Sequence, residues 1–525
     1  MPSSSPSVMR RIAQSTGIVM ASVLLSRVLG FLRDWTVAHQ IGSNAATDAY
    51  YAAFTLPDFL NYLVAGGSLS LIFIPVFSKY AAEGSEEEAW QVFSTVLTFM
   101  GLVLTILVLA AEGLAPHLVQ VITPGFNPAE KARVVFLTRL MLPAQVFFYL
   151  GGVLAAVQYA RAQFVVPSLA PIVYNLGIIL GGVLLASRFG MAGFSAGVLA
   201  GAFVGNFGLQ IYGARRAGAR FHLSLNLRHP GFRMFLRLAI PIMLALSLVF
   251  TDDWVIRWFG SYLPAASITW LSYGKTLMRV PLGVVGQAVG VASFPFLAQL
   301  FSERRFDELN RTLNSTLRAL TLMLVPISAL TMAESRPLVR LFFAHTRLTP
   351  SDFNATAATL VFFSLGMFAW GAQSIVARGF YAGRDTLTPA VLGTLLALLN
   401  LPVYWLLVRR LQYLGLALAS SIGIIVYTAA LFALLRRRLP GYEGGLLLAF
   451  FAKIAALSLI MGFAAWQITD VLGTRVGWTS IPRAFGVLVF ATLAGLALGL
   501  ALAWVFKVEE VRSLLRKKRF AARLA

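Results

Sequence analysis

The chain has 525 residues, 58% of them hydrophobic and only 12% charged, and its 43 Lys and Arg against 21 Asp and Glu give a net charge of +22. Soluble domains are about 25% charged, so this composition excludes an ordinary soluble enzyme or binding module and indicates an integral membrane protein. The basic excess fits the positive cytoplasmic loops of an inner-membrane protein rather than nucleic-acid binding, and the absence of cysteine excludes disulfides and thiolate metal sites.

Apolar runs of 18 or more residues recur from end to end, each able to cross a hydrocarbon core of about 30 Å as a helix. They lack the alternation of barrel strands. The hydropathy pattern predicts an all-α membrane fold of about fourteen transmembrane helices. Their centres lie near 17–40, 50–78, 91–115, 134–158, 165–187, 191–213, 235–260, 265–299, 315–343, 354–380, 387–408, 412–434, 446–468 and 482–506. The leader with Arg10 and Arg11, followed by an apolar run, reads as an uncleaved first span.

A cytoplasmic N-terminus places most arginine clusters on one side: Arg215/Arg216/Arg220/Arg228/Arg233, Arg304/Arg305/Arg311, Arg378/Arg384 and Arg436/Arg437/Arg438. The tail, with Arg512, Arg516, Lys517, Lys518, Arg519 and Arg523, then lies there too, so both termini are expected in the cytoplasm of a multi-pass inner-membrane protein. Ser85-Glu86-Glu87-Glu88 reads as a capping box opening the third span. Glycines at four-residue spacing, Gly177/Gly181, Gly197/Gly201/Gly205, Gly286/Gly290 and Gly495/Gly499, read as helix-packing positions.

The chain also repeats. Tyr159-Ala160 precedes Pro167 with the same spacing by which Tyr381-Ala382 precedes Pro389, and Phe73-Ile74-Pro75 recurs as Ser293-Phe294-Pro295. Both pairs relate spans six apart. The expected organisation is therefore an N-terminal lobe at 1–213 and a basic linker at 214–234, then a second six-helix lobe at 235–436 around a central cavity, two added spans at 437–506 and a basic tail at 507–525.

Charges inside such spans need a wet or paired place, since each costs roughly 2.5–3.5 kcal/mol at the bilayer centre. The first half holds Arg27, Arg33, Asp34, Asp48 and Asp58; the second holds Asp252, Asp253 and Arg257 in span seven and Lys275 and Arg279 in span eight. Asp253 and Arg257 share a helix face at i,i+4 and can pair. Several cations of this kind suit a phosphate-bearing ligand, because guanidinium forks bind phosphate oxygens bidentately.

No bond-breaking motif is present. His39, His117, His222, His229 and His345 lack metalloprotease spacing, and neither a Walker A loop nor a G-x-S-x-G elbow occurs, so the reading is a transporter rather than an enzyme, without a cofactor. Uphill work would then draw on an ion gradient or the membrane potential, with Asp48, Asp58, Asp252 or Asp253 as candidate ion ligands.

Four segments carry a family resemblance: SRVLGFLRD at 26–34, ATDAYYAAFTLPDFL at 46–60, FIPVFSKY at 73–80 and LMRVPLGVVGQAVGVASFPFL at 277–297. They resemble the MurJ (MviN) lipid II flippases of the multidrug/oligosaccharidyl-lipid/polysaccharide exporter superfamily. The resemblance implies a fourteen-helix, two-lobed monomer that moves lipid-linked peptidoglycan precursor to the periplasmic leaflet by alternating access. It also implies a cationic cavity for the diphosphate and sugar, a groove beside the extra helices for the polyprenyl tail, and cell-wall synthesis or division proteins as further partners. Arg27 and Arg33 match the family's span-one arginines and Asp48 its ATDA aspartate. The chain departs at Asn61-Tyr62, where the family has a basic residue, at Gly66, where it has an acid, and at Thr276, where it has an arginine flanked here by Lys275 and Arg279. Arg27, Arg33, Lys275 and Arg279 are thus the expected diphosphate ligands, with Asp48, Asp58 and Asn61 beside the cargo. The alternatives are a flippase for another polyprenyl-diphosphate-linked oligosaccharide, an ion-coupled drug exporter, or a membrane scaffold docking through its basic tail.

Overall fold

The computed structural model describes the backbone of residues 6–65, 68–82, 84–247, 251–383, 385, 387–439, 444–478 and 480–512. Side chains are described within these segments except at 6–16, 62–65, 68–72, 82, 240–247, 251, 287–296, 298 and 444. Gly66, Arg384, the tail cations Arg516 to Arg523, and the side chains of Arg10 and Arg11 lie outside the described residues.

Among the described residues all regular structure is helical. Nine helices among the described residues are long and apolar enough to cross a membrane: 86–122, 128–160, 165–189, 191–216, 306–333, 350–382, 413–438, 445–475 and 481–505; the pair Leu387–Leu399 and Leu401–Leu411, bent by 40°, makes a tenth. These match ten of the expected spans. The other four expected positions are helical too: α1 (Pro6–Gln40); α2 (Ala45–Ala53), α3 (Thr55–Ala65) and α4 (Ser68–Ala82); α11 (Pro230–Ser247) and α12 (Thr251–Gly260); and α13 (Ser267–Ser302). They correspond to spans one and two and their repeat counterparts seven and eight, and they carry every candidate site residue. The candidate charges are therefore concentrated in the helices at spans one, two, seven and eight.

The chain divides into two compact units, Met1–Thr269 and Trp270–Ala525. Unit 1 adds α5 (Glu86–Ile122), α6 (Pro128–Met141), α7 (Ala144–Ala160), α8 (Val165–Phe189) and α9 (Met191–Gly201), which runs through a π-helical segment, Ala202–Gly208, into α10 (Leu209–Arg216). Helix α11, grouped by the repeat with the second lobe, packs in unit 1 against α3, α4 and α5. The core of this unit includes Phe73, Phe77, Trp90, Phe93 and Tyr149, all buried. Ser85 is the residue before α5, but its side chain makes no capping bond, because its backbone (φ −93°, ψ 57°) is not in the extended geometry of a capping residue. Asn127, followed by Glu130, does form a capping box, at α6.

Small residues let α8 and α9 interlock. A Cβ at Gly177 would lie 2.5 Å from the Gly201 Cα, and one at Gly181 2.7 Å from the Gly197 Cα. Among the described residues Gly286 shows no such approach: a Cβ there would meet Leu282 of its own helix at 3.9 Å. The tightest approach is at Gly151, where a Cβ would sit 1.5 Å from the Asn206 carbonyl oxygen in the π segment. Gly151→Ala must displace backbone rather than a side chain. It is expected to cost about 3 kcal/mol or more, at the upper end for overpacking, seen as a lower unfolding temperature in detergent; an unchanged value would contradict the close approach.

Unit 2 contains α14 (Phe306–Ala333), α15 (Ser335–Phe342), α16 (Pro350–Leu365), α17 (Met367–Ala382), α18 (Leu387–Leu399), α19 (Leu401–Leu411), α20 (Tyr413–Arg438), α21 (Gly444–Arg475) and α22 (Ile481–Val505). Thr349 and Asp352 close a capping box at α16. The two added helices are integral to this unit: α21 lies along α14, and α22 packs on α21 and α15.

Candidate functional site

On α1, Asp34 accepts both from its neighbour Arg33 and from a tyrosine of α2. Arg33 donates from Nε and Nη2 to Asp34 Oδ1 at 3.1 and 3.0 Å, and Tyr51 Oη donates to the same oxygen at 3.4 Å. Asp34 is buried. These bonds use two of the five guanidinium N–H donors, so three are not engaged by Asp34. Arg27, exposed, precedes Arg33 by six residues, about 9 Å of helix rise. Asn175 of α8 steadies this part of α1 by donating to Ser26 Oγ at 3.4 Å.

A second charged pair joins residues 199 apart. Arg257 donates from both terminal nitrogens to Asp58 Oδ2 at 3.4 Å, and from Nη1 to Thr55 Oγ1 at 3.0 Å. Asp253 and Arg33 lie within electrostatic reach of Asp58, and Tyr174 of α8 within reach of both Arg33 and Asp58. Helices α1, α3, α8 and α12 therefore contribute to one polar cluster inside unit 1. Asn61, one turn beyond Asp58, and Asp252, next to Asp253, are half-buried on the same helices as those acids. Tyr51 and Tyr174 were not legible as site residues in the sequence, because tyrosines within apolar runs carry no spacing signal.

Asp48 serves a different arrangement. It is 2% exposed, and its Oδ1 accepts from the backbone N–H of Thr269 at 2.8 Å and from Thr269 Oγ1 at 2.6 Å. Thr269 Oγ1 also lies 2.9 Å from Thr47 Oγ1. Thr269 is the third residue of α13, so Asp48 caps that helix from elsewhere in the chain: a carboxylate meets amides that have no partner within the helix and the positive end of its dipole.

In unit 2, Lys275 is buried, with its ammonium 5.7 Å from the ring centroids of both Phe363 and Trp370. Two aromatic faces stabilise a cation that an apolar setting alone would not hold. The helix is fixed here by Trp270, which donates from Nε1 to Asp352 at 2.7 Å and accepts from Thr359 Oγ1 through its carbonyl at 3.0 Å. Gly274 admits the close approach: a Cβ there would meet Thr359 Oγ1 at 2.3 Å. Arg279, one turn past Lys275, is exposed.

Unit 2 also holds an apolar groove of about 480 Å³ between α14, α17, α20 and α21, walled by residues such as Val325, Phe368, Phe432 and Phe451. Among the described residues no group of three His, Asp or Glu side chains is placed to hold a metal ion.

The family model described as "Lipid II flippase MurJ" matches residues 37–486. The probable lipid II flippase MurJ of Vibrio cholerae is 27% identical over 508 residues, covering 94% of this chain and 95% of that protein. The lipid II flippase MurJ of Burkholderia cenocepacia is 25% identical over 462 residues, covering 85% and 88% respectively. Among solved structures, a lipid II flippase MurJ in an inward closed conformation superposes with a TM-score of 0.78 at 23% identity, over 94% of this chain and 99% of that one. A Vibrio cholerae MATE transporter shares the fold more distantly, with a TM-score of 0.57 at 16% identity, over 83% of this chain and 98% of that one. With the model extending from α1 into α22, the chain belongs to the lipid II flippase MurJ family.

Proposed function

We propose that this chain, a multi-pass inner-membrane protein, moves lipid II from the cytoplasmic to the periplasmic leaflet with both termini in the cytoplasm. The observation that carries this reading is the polar cluster of unit 1, where Arg33 is set into an otherwise apolar span with three N–H donors not engaged by Asp34. A diphosphate is the group such forks hold best, and low dielectric strengthens the contact. Arg27 and Arg33 supply these contacts in unit 1, while Lys275 and Arg279 supply positive charge in unit 2. Asp58, paired with Arg257, keeps the cluster from becoming uniformly cationic, and Asn61 offers an uncharged partner for sugar hydroxyls. The apolar groove takes the polyprenyl chain.

The membrane potential suits this direction of transport. Carrying one negative charge from the negative interior to the outside is favoured by about 2.3 kcal/mol per 100 mV. The return of the emptied, net-positive site is favoured in the same sense. Alternating access thus needs no nucleotide in this scheme, and a cation gradient acting through Asp252 or Asp253 is an additional coupling route.

The test is rescue of a bacterium depleted of its own lipid II flippase. The wild-type chain is expected to restore growth, and Arg27→Ala, exposed and therefore tolerated by the fold, is expected to reach the membrane in equal amount and fail. Full rescue by Arg27→Ala would remove Arg27 from the site.

A further inference from the structure

We propose that the far end of the unit-2 groove is a binding site for a zwitterionic amino-phospholipid, with its phosphate at Arg336 and its primary ammonium at Asp470. A second cavity, of about 530 Å³, opens between the end of α14, α15, α16 and α21. It falls in the size range of small-molecule sites, roughly 300–1,000 Å³. Ala329, Met332 and Leu459 line both this cavity and the apolar groove, so the two are continuous.

The cavity is built like a lipid site seen end-on. Phe463 and Trp466, 61% and 47% exposed, stand at its open flank, and Trp478 joins them. Tryptophans of this kind mark the level of the headgroups. Asp470 lies 26 residues along α21 from Gly444, about 39 Å of helix, so the cavity is at the end of α21 remote from the Arg436–Arg438 cluster that closes α20. On the orientation proposed above, that is the outer leaflet.

Its polar groups await a partner. Arg336 and Asp470 both line the cavity, yet among the described residues neither has an ion pair or hydrogen bond. Thr469, 4% exposed and also in the lining, has a hydroxyl without a hydrogen-bond partner among the described residues. By contrast, Thr105, Thr321, Thr331 and Thr428 each donate to the carbonyl four residues back. One cavity therefore presents an unpaired cation, an unpaired anion and a buried hydroxyl beside an apolar channel. A ligand with the complementary set is an acyl chain joined to a phosphate and an amine. A quaternary ammonium has no N–H to give Asp470, and an anionic headgroup without an amine would leave Asp470 facing a like charge.

The experiment uses the full chain, purified in detergent, stripped of lipid and titrated with dioleoyl phosphatidylethanolamine, phosphatidylcholine or phosphatidylglycerol, bound lipid being counted by native mass spectrometry. Phosphatidylethanolamine is expected to bind at least about tenfold more tightly than the other two, the equivalent of one charge-assisted hydrogen bond. Arg336→Gln should weaken it by about tenfold. Asp470→Asn should abolish the preference over phosphatidylcholine, and Thr469→Val should weaken all three lipids together. Equal binding of the three lipids by the wild type would overturn the proposal, as would an unchanged preference in Asp470→Asn. The lipid series in the wild type decides the matter even if a variant folds poorly. Because no flipping is measured, failure here leaves the proposed transport function standing.

Discussion

Asp48→Ala is expected to lower stability by about 2–4 kcal/mol, the cost of losing charge-assisted bonds and stranding a buried donor. The Thr269 amide is left without its acceptor inside the protein, whereas Thr269 Oγ1 keeps Thr47 Oγ1 at 2.9 Å. Asp48→Asn retains an acceptor of the same shape and gives up only the charge, so it should cost about 1–2 kcal/mol, near the worth of a single hydrogen bond. Thermal unfolding in detergent, with wild type and both variants side by side, reads this order. A residue that served cargo alone would leave all three transitions together.

Arg33→Ala should damage both fold and transport. Arg33 is half-buried beside the buried Asp34, and removing it takes a charge-assisted pair from that carboxylate, at a cost of about 1.5–3 kcal/mol. Asp34 would keep only the Tyr51 hydroxyl, at 3.4 Å, of the contacts described above. Arg33→Lys separates the two roles. It keeps a positive charge beside Asp34 but loses the planar fork, so the protein should accumulate in the membrane while flipping falls by about tenfold or more, the loss of at least one charge-assisted contact. Normal flipping by Arg33→Lys would show that the site needs charge alone and not bidentate geometry.

Hydropathy made ten spans legible, because each is a long apolar helix whose average composition is its signal. It could place the other four but not resolve them. A sliding window averages over the break near Phe54 that separates α2 from α3, and over the charges of α12 and α13. Local spacing also shows only part of a residue's partners. The i,i+4 rule points Arg257 at Asp253, while nothing local announces that Arg257 also reaches Asp58 and Thr55 across some two hundred residues. Asp48 is legible as an acid in the span, but nothing near it in sequence announces that Thr269 will present an amide. Lys275 was legible as a charge, whereas the rings of Phe363 and Trp370 that hold it come from helices distant in sequence. Ser85 shows the limit of motif reading, since a capping box needs a backbone geometry that the letters do not specify.

The most direct test is exposure of lipid II at the outer face of cells whose only flippase is this chain, assayed by cleavage of the diphosphate with an enzyme added from outside. Cleavage is expected with the wild type and to fall to the level of flippase-depleted cells with Arg27→Ala at equal membrane abundance. Wild-type cells that grow but expose no cleavable precursor, or equal cleavage in the two, would contradict the assignment of lipid II transport to the arginines of unit 1.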